Sequence, residues 1–352
     1  MVAAKHAAHH NLANANSVLS SLFLAALGLE FLFVFNLEFL GILDFLDFSR
    51  NSRFKNKQRT KMPDNAKKSV QAVAIGSFDG LHRGHNKLIE ALGDNGALIV
   101  IESPKANLTP ARRREEFAKI PCFFYPLDTV KNLRGDYFIG LIKRDFPSLK
   151  RIVVGYDFKF GKDRGWDKYD LKSLFDGEVI IIPEFSFDGM GVHSSAIRRF
   201  LQDGDIYRAN RLLGREYSIE AKVIAGQGIG KKELYPTLNL DITPYLAPAQ
   251  GVYATRTRIG ENTFCSVSFV GNRLSTDGKY SIETHVIDEQ IEVAPEKLRV
   301  CFIERIRGNA QFSSLTELKA QIAKDIAIAK SAGDACYLTL REDDTHARVV
   351  ER

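Results

Sequence analysis

Between residues 71 and 202, short apolar runs alternate with stretches in which apolar residues recur at helical spacing. The apolar runs are 71–75, 97–101, 151–155 and 178–183, and the helical patterns are 87–92, 110–120, 137–146 and 194–202. Strands that alternate with helices are typical of a parallel sheet covered by helices. The pattern therefore predicts an α/β domain with a Rossmann-like parallel sheet, whose ligands lie beyond the carboxyl ends of the strands.

A different pattern begins at residue 217, where apolar and polar residues alternate over short stretches separated by turn residues. These stretches are 217–225, 251–259, 264–270, 280–287 and 298–306. Several alternating strands in succession favour a closed antiparallel barrel. The periodicity of residues 315–331 predicts a helix packed beside it.

The first 68 residues fit neither pattern. Leu and Phe crowd the stretch 17–48, but four acidic residues interrupt it, whereas a spanning helix requires about 20 mostly uncharged residues. No convincing cleavage site for a signal peptide follows. The basic run 50–68 is typical of a linker, and Met62 within it is an alternative translation start. We therefore expect residues 1–68 to lie outside the two folded regions.

Composition narrows the class of protein. The 352 residues, 45% of them apolar, suffice for two or three domains with a core in each. A charged fraction of 26% and an aromatic fraction of 10% exclude intrinsic disorder. The net charge of +6 suits phosphate-bearing ligands without indicating nucleic acid. The four cysteines lie far apart with no CxxC pair, so we expect neither a zinc site nor a disulfide framework. The expected compartment is therefore a reducing one.

The strongest chemical signal is GSFDGLHRGH, which links the first strand to the first helix. His82 and His85 are three residues apart, so at a helix start both rings can face an anion held by backbone N–H groups. Gly84 would let a nucleotide approach the backbone, and Gly76 and Gly80 would let the loop turn tightly. The alternatives are a pair of surface histidines or a metal site, and the lack of a third ligand at suitable spacing disfavours the metal.

Two later segments can complete such a site. The segment GYDFKFG follows a strand, and SSAIR opens a helix with the hydroxyls of Ser194 and Ser195, followed one turn later by Arg198. Hydroxyls and a guanidinium group bind phosphate. The same residues can instead be a helix cap and a solvated cation.

These three segments, in this order, resemble the adenylyltransferase half of the bacterial bifunctional riboflavin kinase/FAD synthetase family. Residues 235–240, YPTLNL, resemble the PTxN signature of that family's kinase module, and residues 281–288, SIETHVID, resemble the strand that carries its catalytic glutamate. Arg307 and the residues after it fall at the spacing of the closing segment and terminal helix. The resemblance covers about residues 70–330, and several motifs in one order are more specific than any one of them.

For the first half, the resemblance implies adenylylation of FMN by ATP to give FAD and pyrophosphate. His82 and His85 would be catalytic and stabilise charge on the phosphates. The residues expected to bind ATP are Gly76, Phe78, Gly84, Ser194, Ser195 and Arg198, and Asp157 is expected to contact the flavin.

For the barrel, the resemblance implies phosphorylation of riboflavin to FMN by ATP, with Glu283 as general base and Arg307 near the flavin. Thr237 and Asn239, two residues apart on one face of a strand, would hold the Mg²⁺ that accompanies ATP. The ATP phosphates would lie against Gly226, Gly228 and Gly230. Without the resemblance, a glycine cluster more often indicates a flexible hairpin, Thr237 and Asn239 could be turn residues, and Glu283 would be expected on the outward face of a half-buried strand.

The sequence departs from the family pattern in three places. His193 stands where the family's SSTxIR segment has its first serine, and Ser195 stands at its threonine. Glu233 and Leu234 replace the usual Leu-Gly pair, and the stretch ESPK after the second strand lacks the His-Pro pair. The flavin contacts of the adenylylation site are therefore the least determined part.

We expect four regions: an extension and linker over 1–68, an FMN adenylyltransferase domain over 69–213, a riboflavin kinase domain over 214–335 and a tail over 336–352. The expected ligands are riboflavin, FMN, FAD and ATP, with no nucleic acid or membrane partner and a cytoplasmic location. Two other functions stay open. One is a riboflavin kinase whose adenylyltransferase activity is weak or lost, and the other is a nucleotidyltransferase joined to a ligand- or RNA-binding barrel.

Overall fold

The computed structural model describes residues 66–225, 235–275, 277–339 and 347–349. All of them belong to one compact unit, Pro63–Arg352. The expected N-terminal extension, up to residue 65, lies outside the described residues. Lys67, expected in the linker, donates to Asp145 at 2.8 Å and to the Tyr125 hydroxyl at 3.1 Å, so chain ahead of the expected boundary already packs on the first domain.

The first half contains nine strands among its described residues. They are β1 (Ala72–Gly76), β2 (Gly96–Glu102), β3 (Cys122–Pro126), β4 (Arg151–Gly155), β5 (Lys159–Phe160), β6 (Trp166–Asp167), β7 (Glu178–Ile182), β8 (Phe185–Phe187) and β9 (Met190–Gly191). Five of them form a parallel sheet in the order β3-β2-β1-β4-β7. The predicted parallel sheet is confirmed, and β3 is an edge strand that the hydrophobic pattern did not reveal.

Seven helices accompany this sheet in the described part of the first half. They are α1 (Arg83–Glu90), α2 (Arg113–Ala118), α3 (Leu127–Val130), α4 (Gly135–Asp145), α5 (Lys168–Leu174), α6 (Ser194–Asp203) and α7 (Ile206–Leu213). Successive side chains of a strand point to opposite faces, so Val73 packs in one cluster with Phe138 of α4 while Ala74 packs in another with Leu88 of α1. Both faces of the sheet are therefore buried, which explains its uninterrupted apolar strands.

The second half is a closed barrel in the order β10-β11-β14-β13-β12-β15, and β15 pairs with β10 to close it. Its strands are β10 (Tyr217–Ile224), β11 (Leu238–Asp241), β12 (Gly251–Ile259), β13 (Asn262–Asn272), β14 (Tyr280–Val286) and β15 (Lys297–Gly308). The predicted antiparallel barrel is confirmed. The predicted helix is α8 (Leu315–Thr339), which packs against β12, β13 and β15.

The end of the chain returns to the first half. The strand β16 (Ala347–Val349) pairs antiparallel with β8 and extends the β8–β9 hairpin to three strands. No helix in the described ranges is both long enough and apolar enough to cross a membrane.

The two halves meet through a shared core. The sequence analysis predicts a core for each domain, but Leu201 and Leu212 of the first half belong to the same buried cluster as Tyr217 and Phe302 of the barrel. The buried Asn210 connects them, since its amide donates to the Phe302 carbonyl at 2.9 Å and accepts from the Tyr217 N–H at 2.7 Å. The barrel therefore packs against α7 and α6, and the first residues of α6 line the α/β cavity described next.

Candidate functional site

A cavity of about 940 Å³ lies at the carboxyl ends of β1, β4 and β7, where ligands are expected in a parallel sheet. Its lining includes all nine residues that the sequence analysis assigned to the first half: Gly76, Phe78, His82, Gly84, His85, Asp157, Ser194, Ser195 and Arg198. Three segments that are far apart in the sequence thus meet around one space large enough for a nucleotide.

The two histidines of the motif lie side by side at the start of α1. His82 is the N-cap residue, and its Nδ1 accepts the His85 backbone N–H at 3.3 Å. The two rings stack with centroids 3.6 Å apart and planes inclined by 14°, and the Phe78 ring meets His85 edge-on at 5.2 Å. The three-residue spacing therefore brings both rings to the same side of the helix start, as predicted.

Both imidazoles are neutral near neutral pH. Burial, reinforced by the nearby His85 and His193, holds the pKa of His82 well below its usual range. Burial, reinforced by the charges of Arg114 and Arg215, lowers the pKa of His85 to about 3. The His85 Nδ1 atom is buried without a hydrogen-bond partner among the described side chains. The pair is thus suited to donate hydrogen bonds to a phosphate rather than to supply positive charge.

Asp79, which the sequence analysis did not single out, is a buried anchor of the motif loop. Its carboxylate accepts the backbone N–H groups of Asn107, Leu108 and Thr109 at 2.9–3.2 Å. It also pairs with Arg198, whose Nε donates to the Asn107 side chain at 3.1 Å. Arg198 is therefore tied to the protein, and the alternative of a solvated surface cation is wrong.

Ser194 has a different role from the helix cap that the sequence suggested. The N-cap residue of α6 is His193, and the Ser194 hydroxyl donates instead to the Asp79 carbonyl at 2.7 Å. This bond joins the start of α6 to the motif loop. Asp79 stands inside the motif, but a short motif does not show what each residue faces, so neither contact was predictable.

A histidine on the cavity wall is paired with a glutamate. His193 contacts the Glu184 carboxylate through Nε2 at 3.0 Å and lies on the cavity wall. Glu184 follows β7 and carries no motif signal. His193 is one of the positions at which the chain departs from the SSTxIR segment, so the motif does not predict this contact.

The structure gives a packing reason for Gly84. A Cβ atom there would approach the Val192 carbonyl oxygen at 3.2 Å and the His82 ring at 3.3 Å. These contacts are tighter than ordinary van der Waals spacing. The absence of a side chain thus lets α1 pack closely on the segment before α6, whatever ligand approaches the loop.

The predicted kinase residues meet on the outside of the barrel. The Thr237 hydroxyl donates to the Glu283 carboxylate at 3.2 Å, and Asn239 lies opposite Glu283 in the β11–β14 pair. Arg273, which the sequence analysis did not name, donates to the other Glu283 oxygen at 3.3 Å and also binds Asp277. Hydroxyl, amide and carboxylate oxygens together are a donor set that suits Mg²⁺.

The remaining predicted kinase residues are Arg307 and the three glycines of the phosphate loop. The Arg307 guanidinium makes three bonds of 2.8–3.1 Å to the buried carboxylate of Asp325 and stacks on Phe312, so it connects β15 to α8. Its proposed flavin contact stays a prediction. The glycines of the predicted phosphate loop, Gly226, Gly228 and Gly230, lie outside the described residues, as do Glu233 and Leu234.

Family models match parts of each half, and curated relatives match across both. Residues 213–332 match the family model for riboflavin kinase, and residues 64–97 match that for FAD synthetase. Among curated proteins, the bifunctional riboflavin kinase/FMN adenylyltransferase of Buchnera aphidicola subsp. Schizaphis graminum is 31% identical over 294 residues, which are 74% of this chain and 94% of that protein. The Escherichia coli K12 protein of the same name is 29% identical over 73% of this chain and 91% of its own length.

A solved structure described as a macrolide-efflux protein from Streptococcus pneumoniae is 26% identical, with a TM-score of 0.66. The match covers 77% of this chain and 95% of that one, so both halves share its fold. With two matching family models in the expected order and relatives covered almost from end to end, the chain belongs to the bifunctional riboflavin kinase/FMN adenylyltransferase family.

Proposed function

We propose that the chain converts riboflavin to FAD in two steps at two sites, the first in the barrel and the second in the α/β cavity. One observation carries this proposal: the motif residues form two separate groups, one around the cavity and one beside Glu283. We assign the adenylyltransferase domain to residues 69–213 and the kinase domain to residues 214–335. Family membership supports both activities.

In the barrel, Glu283 acts as the general base of the kinase step. It accepts the proton of the ribityl 5′-hydroxyl while that oxygen forms a bond to the ATP γ-phosphorus, and the bond from the γ-phosphorus to the bridging oxygen breaks to release ADP. The hydrogen bond from Thr237 and the ion pair with Arg273 hold the two carboxylate oxygens in place. A carboxylate oriented in this way directs its lone pairs at one hydroxyl of the substrate.

Magnesium fits the same place. The Thr237 hydroxyl and the Asn239 amide are hard oxygen donors next to the Glu283 carboxylate, and they would hold the Mg²⁺ that arrives with ATP. When bound, the ion offsets the negative charge of the phosphates.

In the α/β cavity, an oxygen of the FMN phosphate attacks the ATP α-phosphorus. A bond forms between these atoms, the bond from the α-phosphorus to the α–β bridging oxygen breaks, and pyrophosphate leaves. The FMN phosphate is already an anion, so no base is needed. The neutral rings of His82 and His85, beside the N-terminus of α1, donate hydrogen bonds to the phosphate oxygens as charge develops.

The test is product analysis by chromatography after the purified chain is mixed with ATP and Mg²⁺, once with riboflavin and once with FMN. We expect FMN and FAD from riboflavin, and FAD with pyrophosphate from FMN. Production of FMN without FAD would leave only the kinase, and production of FAD from FMN without riboflavin phosphorylation would leave only the adenylyltransferase. Absence of both products would overturn the proposal.

A further inference from the structure

An arginine from the segment that enters the barrel reaches back to the motif loop of the α/β half. Arg215 lies between α7 and β10, and its Nη2 donates to the Gly80 carbonyl at 2.6 Å while its Nη1 donates to the Leu81 carbonyl at 3.0 Å. The guanidinium stacks on the Phe117 ring at 3.9 Å and also reaches the Thr109 hydroxyl at 3.4 Å. One side chain therefore fixes two consecutive peptide groups that are more than a hundred positions away.

The loop that Arg215 holds is strained. Phe78 and Leu81 have φ values of +50° and +39°, a region that residues with a side chain rarely adopt, and Gly80 has a φ of +89°. A loop with such a conformation persists only when surrounding contacts hold it. The strain is located in the residues that lead directly into His82.

Three successive carbonyls of this loop accept hydrogen bonds from distant side chains. The Asp79 carbonyl accepts from Ser194, and the next two accept from Arg215. Ser194 belongs to α6 of the same half, whereas Arg215 is outside the adenylyltransferase domain as we assign it. The guanidinium is thus the contribution of the second half to the loop's conformation.

We propose that Arg215 is a positioning residue for FMN adenylylation, which holds the Gly80 and Leu81 carbonyls so that His82 and His85 face the ATP phosphates. This inference rests on the function proposed for the cavity. Burial lowers the pKa of Arg215 to about 10, so the side chain keeps its charge near neutral pH. Lysine cannot replace it, because a single ammonium lacks the planar fork that meets two carbonyls at once.

The alternative is that Arg215 only holds the two halves together and has no effect on the motif loop. Another arginine that crosses between the halves serves as a matched control for this alternative. Arg299 of the barrel also crosses to the first half, where it binds Glu116 of α2 at 2.6 and 3.1 Å. Arg299 makes no described contact with the motif loop. Arg299→Ala therefore weakens the boundary between the halves without releasing the carbonyls of Gly80 and Leu81.

The experiment compares Arg215→Lys and Arg299→Ala with the unchanged protein. It measures kcat and KM for ATP in FMN adenylylation, the rate of riboflavin phosphorylation, and thermal unfolding. Misplacing catalytic groups by about 1 Å costs on the order of 100-fold, so we expect that loss in FMN adenylylation for Arg215→Lys. Riboflavin phosphorylation should stay at the level of the unchanged protein in both variants, and adenylylation should stay there in Arg299→Ala.

Two results would overturn the inference. The first is normal FAD formation by Arg215→Lys. The second is a loss of adenylylation in Arg299→Ala as large as that in Arg215→Lys, since it would reduce Arg215 to an interface contact.

Amide hydrogen exchange of the peptide that spans residues 77–85 measures how firmly the motif loop is held, independently of any enzyme activity. We expect Arg215→Lys to accelerate exchange in this peptide and Arg299→Ala to leave it unchanged. If the unchanged protein makes no FAD, the proposed function fails by itself. Equal exchange in all three proteins would then show separately that Arg215 does not hold the loop.

Discussion

The two candidate sites differ in how far apart in the sequence their parts lie. The barrel site joins Thr237 and Asn239 to Glu283 across one pair of neighbouring strands. The cavity joins the motif loop to the start of α6 and to Arg215, up to 135 positions away. A site between paired strands follows from their register, whereas a site built from distant segments depends on the packing of the whole unit.

The sites also differ in how they handle charge. The cavity presents two neutral, buried imidazoles, and Arg198 on its wall is tied to Asp79. The barrel presents a partly exposed carboxylate beside the cation of Arg273. Hydrogen-bond donors in a desolvated cavity stabilise a developing negative charge, while a carboxylate within reach of a hydroxyl removes a proton. The comparison predicts that each site can be disabled without the other.

The largest expected effect is that of Glu283→Gln. The substitution keeps the size of the side chain and one of its two acceptor oxygens but removes the basic carboxylate, so riboflavin phosphorylation should fall by roughly 10²–10⁴-fold. The same preparation should adenylylate supplied FMN normally. Phosphorylation near the original rate would remove Glu283 from the chemistry and leave it as a strand residue.

His82→Ala is the counterpart in the cavity. Loss of one preorganised donor to a developing charge costs roughly 10²–10³-fold, so conversion of FMN to FAD should fall by that amount. Riboflavin phosphorylation, measured on the same sample, should be unaffected because the ring has no part in the barrel site. An equal fall in both activities would mean that the variant is misfolded or that the two sites are one.

The neutral histidines predict a smaller, pH-dependent effect on stability. His85 takes up a proton near pH 6.5 when unfolded but only at about pH 3 when folded, so acidification between these values favours the unfolded chain. Stability from this group is therefore full above the ordinary histidine pKa and declines as the pH falls below it, by up to ~1.4 kcal/mol per pH unit.

His85→Gln removes this group and should flatten the decline. The measurement is the free energy of unfolding in urea at neutral pH and about one unit below the ordinary histidine pKa, for the unchanged protein and the variant. Parallel declines in the two proteins would show that His85 is protonated as readily in the folded state as in the unfolded one.

The smallest expected effect is that of removing the first 61 residues. A chain that begins at Met62 keeps Lys67 and its contacts with Asp145 and Tyr125, which hold the segment before β1. It should remain folded and carry out both reactions at the rates of the full chain. Loss of either activity would show that the Leu- and Phe-rich segment contributes to that site.

Much of the fold was predictable because its patterns are local. Four strands of the parallel sheet and five strands of the barrel follow the predicted runs. Strands buried on both faces read as continuous apolar runs, whereas half-buried strands alternate apolar and polar residues. The strand β3 was not predicted, and β11 was expected only from the motif that contains Thr237 and Asn239. β3 follows closely on α2 and ends in a proline that leads into α3, so the pattern shows no separate strand there, and β11 has only four residues, too few to show a period.

For the sites, the sequence by itself determined which residues cluster as motifs and which half each motif belongs to. His82 and His85 are brought together by their spacing at one helix start, and Thr237 and Asn239 lie two positions apart where the chain enters β11. Only the tertiary structure decided that Asp79 binds Arg198 across 119 positions and that Arg215 holds the loop of the other half. The physical reason is that such contacts depend on how helices and strands pack, and burial by that packing is also what makes the two histidines neutral.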